Sequence, residues 1–169
     1  MRKTTRVLSI VNLQTLIPHQ VVALGAIALP GFARRPIAKE TSMSDILEAN
    51  KRAVLESYDL ALNKKDADAA FKYLGPTYRQ HNPTVADGFD GWRAMVAWLK
   101  TDRPNFKAEV KRVIAEGDFV VLHVHMTIDA NDRGRAAVEI FRLENGKIVE
   151  HWDILQAIPE TTANSNTMF

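Results

Sequence analysis

The chain of 169 residues contains no cysteine. This absence excludes disulfide bonds, thiolate metal ligands and a cysteine nucleophile, and it leaves the redox compartment open. The sequence also lacks internal repeats, low-complexity runs and any motif that indicates a metal or an organic cofactor. The net charge is only +2, and no basic patch points to a nucleic-acid partner. With 46% apolar residues, a chain of this length can fold as one domain without crosslinks.

Acidic residues are absent from the first 39 positions, which hold six Lys and Arg residues. The cleanest apolar run there, Val21–Leu29, is too short to span a bilayer. Gly31 and Ala33 have the spacing of a signal peptidase site. Residues 1–41 are therefore interpreted as a signal peptide or as a disordered extension before a true start at Met43. The first predicts a periplasmic or secreted protein and the second a cytoplasmic one.

Residues 42–158 form the predicted domain, and residues 159–169 form a polar tail. Apolar residues at helical spacing predict three helices in the first half of the domain. Serine or aspartate begins each helix, because its side chain can accept a free N–H of the first turn. The predicted helices run from Ser42 or Ser44 to Asn63, from Asp66 to Leu74, and from Asp90 to Leu99.

After Pro104 the apolar period changes to two, which predicts strands. Turn sequences divide this part into four strands: Ala108–Ile114, Phe119–Ile128, Arg135–Leu143 and Lys147–Ala157. Helices followed by an antiparallel meander indicate an α+β fold, with three N-terminal helices packed on one face of a curved, mainly antiparallel sheet.

The final hairpin carries several ionisable residues. A three-residue loop, Glu144–Gly146, pairs Glu139 with His151 and places Asp153 on the same face. A two-residue loop pairs Glu139 with Trp152 instead and sends His151 and Asp153 to the opposite face. We prefer the first pairing because it collects the ionisable side chains. The other face then carries Ile140, Ile148, Trp152 and Ile154.

Three segments carry a resemblance to a known family: Tyr78–Pro83, Glu139–Arg142 and Gly146–Asp153. In this order they resemble the SnoaL-like polyketide cyclases, which belong to the nuclear-transport-factor-two-like superfamily with ketosteroid isomerase and limonene epoxide hydrolase. The resemblance covers about Ser44–Ala157. It implies a cone-shaped α+β barrel with a deep pocket, and a homodimer formed through the outer face of the sheet.

The resemblance also implies site residues. Asp153 matches the acid–base carboxylate of the cyclases, and Glu139 matches the acidic residue that donates to the substrate oxyanion in ketosteroid isomerase. His81 matches a pocket histidine on the early extended segment, and we expect His151 to join this catalytic group. Cyclases can carry His at the position of Glu139, so this chain departs from their pattern there.

These residues suit enolate chemistry, which needs a base beside a carbonyl and a donor for the developing oxyanion. We expect Asp153 as base and Glu139 or a histidine as donor, acting on a small to medium apolar carbonyl compound by isomerisation or aldol-type cyclisation. The alternatives are a non-catalytic small-molecule-binding domain, and an epoxide or ester hydrolase in which Asp153 activates water. No cofactor is predicted. Asp153 could instead form a structural ion pair with Arg142 or another cation.

Further residues are predicted to line the pocket and contact substrate: Tyr78, Trp92, Met95, His123, His125, Phe141 and Leu155. His123 and His125 share one face of a strand, and such a pair can bind a metal with a third ligand. The sequence offers no further ligand spacing, so no metal site is predicted. His81 could equally be a buried histidine that bonds backbone.

Overall fold

A computed structural model describes residues 42–169. The signal-peptide or extension prediction for residues 1–41 lies outside the described residues. Helix α1, Met43–Tyr58, continues into a π-helical turn, Asp59–Asn63. Helix α2 is Ala67–Phe71, and helix α3 is Gly88–Asp102. No helix in this described part is long and apolar enough to cross a membrane.

Local side-chain bonds set the starts of α1 and α2. Ser42 caps α1 in a reciprocal capping box with Asp45, and Asp66 caps α2 by accepting the N–H of Ala69. The prediction that Asp90 caps the third helix is wrong. Asp87 holds that position in an extended conformation, and its carboxylate accepts the Gln80 N–H at 2.8 Å.

The sheet has five strands: β1 Leu74–Gln80, β2 Lys107–Glu116, β3 Phe119–Thr127, β4 Arg135–Glu144 and β5 Lys147–Ala157. Their order is β1-β5-β4-β3-β2. Strands β2 to β5 form the predicted antiparallel meander, and β1 adds to β5 in parallel. Leu74 begins β1 and does not end the second helix, which corrects that boundary. The predicted α+β cone is confirmed.

The β4–β5 hairpin differs from the predicted register. Asn145 and Gly146 have φ values of 50° and 73°, and they form a two-residue turn of the primed kind. The pairing then shifts by one residue between Arg142 and Leu143. Beyond this bulge Glu139 pairs with Asp153, so the predicted loop and the predicted pairing with His151 are both wrong. The bulge returns His151 and Asp153 to the face of Glu139, which the two-residue turn without a bulge would have placed on the opposite face.

The inner face of the sheet packs on the helices, and the largest fully buried side chains are Leu122, Leu143, Ile148, Val54, Val96, Val120 and Val124. Ile148 thus lies inside, which corrects its predicted place on the outer face. The outer face exposes several apolar side chains: Ile114, Phe119, Val138 and Ile154. The homodimer through this face stays a prediction.

Candidate active site

A cavity of about 330 Å³ opens between the inner face of the sheet and the helices. Most of the residues predicted for the site line it: Asp153, Glu139, His151, Tyr78, Trp92, Met95, Phe141 and Leu155. Its buried end holds the polar groups, and apolar side chains form most of the remaining wall. This arrangement is typical of a small-molecule site, in which a few polar groups orient a mostly apolar ligand.

Glu139 and His151 form a buried hydrogen-bonded pair. Nε2 of His151 lies 2.6 Å from Oε2 of Glu139, and the Tyr58 hydroxyl donates to Oε1 at 3.1 Å. Glu139 is 2% exposed and His151 is 8% exposed. The carboxylate is therefore held from both sides without contact with bulk water.

Gln80 fixes the protonation of the other ring nitrogen of His151. Oε1 of Gln80 accepts the backbone N–H of Asn82 at 2.9 Å, so the amide oxygen, and not its NH₂ group, faces the ring. Nδ1 of His151 lies 2.9 Å from that oxygen and must donate to it. One further proton is then shared between Nε2 and Glu139.

Asp153 is bound on one side only. Its Oδ2 accepts a hydrogen bond from Nδ2 of Asn82 at 2.6 Å. Within residues 42–169, Oδ1 has no hydrogen-bond donor, and the side chain lines the cavity. A carboxylate oxygen with free lone pairs in an apolar cavity can accept a proton from a bound molecule.

Two tyrosine hydroxyls stay protonated beside these carboxylates. Burial raises the pKa of Tyr58 well above its ordinary value, and the Glu139 carboxylate raises it further. Burial also raises the pKa of Tyr78, with Glu139 and Asp153 adding to the effect. The Tyr78 hydroxyl accepts from Nε2 of Gln80 at 3.2 Å, and its own proton has no acceptor among the described residues. Tyr78 is thus a free donor at the cavity wall.

His81 directly follows β1, and its side chain lies on the outer face of the sheet and does not line the cavity, contrary to its predicted place. Its Nε2 is 2.9 Å from Oε1 of Glu150, and its ring stacks on Trp152 with centroids 4.6 Å apart. Arg142 donates to the second oxygen of Glu150 at 2.8 Å. Arg142 therefore pairs with Glu150, and the alternative ion pair between Arg142 and Asp153 is not formed.

His123 and His125 share one face of β3, as predicted, but that face points away from the cavity. Arg112 contacts Nδ1 of His123 at 2.9 Å, and Nε2 of His125 contacts the Arg133 carbonyl at 2.9 Å. The ring of Phe169 covers both, at 5.3 and 4.6 Å between centroids. The prediction that they contact substrate is therefore corrected: a C-terminal aromatic side chain occupies this face.

In the described part of the chain, one group of three residues could hold a metal ion: Glu139, His151 and Asp153. One ligand atom from each lies within 4.8 Å of the others. Nε2 of His151 already shares its proton with Glu139, so an ion would have to displace that proton. A carboxylate pair with one histidine suits a divalent metal, and the same group also suits proton transfer without one.

Three residues of the site were not among the predicted site residues: Gln80, Asn82 and Tyr58. A period of two with His81 outward, the opposite of the predicted phase, supplies the missing signal, because the residues on either side then point inward. Gln80 and Asn82 flank His81 in this way. Tyr58 carries no comparable signal, since a tyrosine on an apolar helix face is usually core.

A model of the SnoaL-like polyketide cyclases matches residues 52–162. The chain belongs to this family. No curated protein matches the chain. Solved structures do match. One is AclR from Streptomyces galilaeus, which is described as a proposed hydroxylase. It is 25% identical to this chain with a TM-score of 0.53, and the match covers 67% of this chain and 82% of AclR.

Two further structures support the fold. A proposed SnoaL-like cyclase from a Jannaschia species is 22% identical, with a TM-score of 0.56 and coverage of 69% of this chain and 91% of its own. A proposed ketosteroid isomerase from Kribbella flavida is 16% identical, with a TM-score of 0.57 and coverage of 70% and 85%. These two likenesses show the nuclear-transport-factor-two-like fold, and the family rests on the match to residues 52–162.

Proposed function

We propose that this domain is a cofactor-independent acid–base enzyme that forms an enolate from a small to medium apolar carbonyl compound, leading to isomerisation or aldol-type cyclisation. The proposal rests on two groups in one mostly apolar cavity. Asp153 has one carboxylate oxygen without a hydrogen-bond partner, and Tyr78 has a hydroxyl proton without an acceptor. The family and its cyclase and isomerase relatives support the same class of reaction.

Asp153 acts as the base. Its Oδ1 takes the proton from the carbon beside the carbonyl, and the electron pair of that C–H bond moves into the enolate. The bond from Asn82 to Oδ2 holds the carboxylate in one orientation, so Oδ1 faces the substrate. Return of the proton to another carbon completes isomerisation, while attack of the enolate on a second carbonyl closes a ring.

Tyr78 donates to the developing oxyanion. This role was expected of Glu139 or a histidine, but both ring nitrogens of His151 are bound to protein acceptors, and both oxygens of Glu139 are also engaged. Tyr78 carries the unused proton, and its raised pKa keeps that proton in place. A donor fixed before the substrate binds stabilises the transition state without reorganisation.

The Glu139–His151 pair positions this machinery. His151 holds Gln80 through Nδ1, and Gln80 in turn bonds both the Tyr78 hydroxyl and the Asn82 backbone. One network therefore aligns the donor and the base. Its burial keeps it rigid, because breaking one bond would leave a buried polar group unpaired.

Exchange of carbon-bound protons tests the proposal before the substrate is known. β-Tetralone is an apolar ketone with acidic α-protons, and its exchange in heavy water is followed by proton NMR. We expect the wild-type protein to accelerate exchange, and Asp153→Asn to lower the rate by about 10²-fold or more, the usual contribution of a positioned base. Glu109→Gln, on an exposed part of β2, is the matched control and should keep the wild-type rate.

Two outcomes would overturn the proposal. Equal exchange by wild type and Asp153→Asn would exclude Asp153 as the base. Binding of β-tetralone without any acceleration would favour the non-catalytic binding domain. The assay is repeated with a chelator, and a loss of rate there would instead indicate a metal held by Glu139, His151 and Asp153.

A further inference from the structure

Two arginines that the proposed chemistry does not use, Arg103 and Arg135, line the cavity. The more exposed part of the lining, here called the opening, includes Leu155 at 41% and Trp98 at 47%, whereas Glu139 at the buried end is 2% exposed. Arg103 is the C-cap of α3, and Arg135 is the first residue of β4. The helix and the sheet thus each bring one guanidinium to the same opening.

The described residues leave both guanidinium groups without a carboxylate partner within 4.0 Å. Arg103 donates only to the Asp102 carbonyl at 2.9 Å and lies over the Trp98 ring at 5.3 Å. Arg135 has no side-chain hydrogen bond in residues 42–169. Each group therefore keeps several N–H donors for another partner, and a planar guanidinium suits the two oxygens of an anion.

One carboxylate lines the same opening and must be counted against the arginines. Asp132 is nearby, but its two oxygens accept the backbone N–H groups of Ile128 and Gly134 at 2.8 and 2.9 Å. These bonds, with Arg135 and His125 adding to the effect, hold the pKa of Asp132 below its ordinary value. Asp132 therefore stays charged and offsets one of the two arginines, which still leaves the opening positive.

We propose that the opening is an anion subsite, and that the ligand of this cavity has an apolar body with a carboxylate or similar anionic group at one end. Arg103 and Arg135 would bind that group from opposite walls. As a statement about the substrate, this inference rests on the proposed function; as a statement about binding selectivity, it stands without it.

The spacing along the elements sets the length of such a molecule. Arg135, Ala137 and Glu139 alternate on the inner face of β4, so the Cα atoms of Arg135 and Glu139 are four positions apart, or about 14 Å along the strand. Trp92 and Arg103 lie eleven residues apart on α3, or about 16 Å. A two-ring to three-ring compound with its reacting carbonyl far from its anionic end fits this span.

Two probes with one skeleton separate charge from shape. Calorimetry measures the binding of para-phenylbenzoate, which is anionic, and of para-phenylbenzamide, which is neutral. In the wild type we expect tighter binding of the benzoate, weakened by added salt. The Arg103→Ala/Arg135→Ala variant should lose roughly tenfold in benzoate affinity and keep its benzamide affinity. Lysine at both positions should give intermediate benzoate affinity.

Arg52→Ala removes an exposed arginine of α1 outside the cavity and should bind both probes as the wild type does. An equal loss for both probes in the double alanine variant would overturn the proposal, because the cavity itself would then have changed. An unchanged benzoate affinity would also overturn it. The β-tetralone assay remains separate, since that neutral ketone reports on Asp153 and carries no anionic group.

Discussion

Asn82 and Asp153 are 71 residues apart in the sequence, and Nδ2 of the first lies 2.6 Å from Oδ2 of the second. This bond joins the segment after β1 to the last strand of the sheet. It occupies one carboxylate oxygen and leaves the other facing the cavity. The orientation of the proposed base therefore depends on a residue from a different part of the chain.

Replacement of Asn82 tests this dependence. Asn82→Ala frees Asp153 to rotate, so we expect the kcat for β-tetralone exchange to fall roughly tenfold with little change in KM. Asn82→Asp keeps an acceptor for the Thr84 bonds but places a second carboxylate against the first. One of two adjacent carboxylates must hold a proton, so the pH–rate profile should move to higher pH. Unaltered profiles in both variants would contradict the positioning role.

The two buried tyrosines should differ in effect. Tyr78→Phe removes the proposed oxyanion donor, and we expect the exchange rate to fall by about 10²-fold. Tyr58→Phe removes only a bond to Glu139, and we expect a loss of less than about tenfold. Tyr73→Phe, whose hydroxyl bonds Glu56 outside the cavity, is the control and should exchange at the wild-type rate. A larger loss in Tyr58→Phe than in Tyr78→Phe would transfer the donor role to Tyr58.

The outer-face network of Glu150 with His81 and Arg142 predicts an acid-dependent stability. The bond with His81, followed by the bond with Arg142, lowers the pKa of Glu150. The folded state then binds fewer protons than the unfolded state at acid pH, so this stabilisation is present above the unfolded pKa and is lost as pH falls through the folded value. Denaturant unfolding of wild type and Glu150→Gln should differ by about 1 kcal/mol at neutral pH.

That difference should shrink as pH falls from the ordinary glutamate pKa of about 4.3, and it should disappear once pH is below the lower pKa of folded Glu150, where the wild-type carboxyl gains its proton. A constant difference across the acid range would show that packing, and not charge, supports this position. His81→Gln belongs to the same experiment because His81 lies outside the cavity. It should lower stability in the same direction while β-tetralone exchange stays at the wild-type rate, and a loss of exchange would return His81 to the site.

The sequence by itself determined the local features. Capping serine and aspartate set the starts of α1 and α2, and the period of two located the strands of the meander. The same alternation placed His151 and Asp153 on one face of the last strand, but their sharing of that face with Glu139 was predicted only from the preferred three-residue loop, and that register is wrong. The turn is one residue shorter than predicted, and a bulge between Arg142 and Leu143 brings the three side chains back to one face.

Tertiary structure decided the rest, because periodicity indicates which side of a strand is buried and not what covers it. The pairing of β1 with β5 turns Gln80 and Asn82 inward and His81 outward. Phe169 covers the face of His123 and His125, although the sequence had predicted that this face lines the pocket. Arg103 and Arg135 meet at one opening only because the helix and the sheet end there together. Contacts between residues this far apart in the chain depend on the packing of whole elements, and no local pattern encodes them.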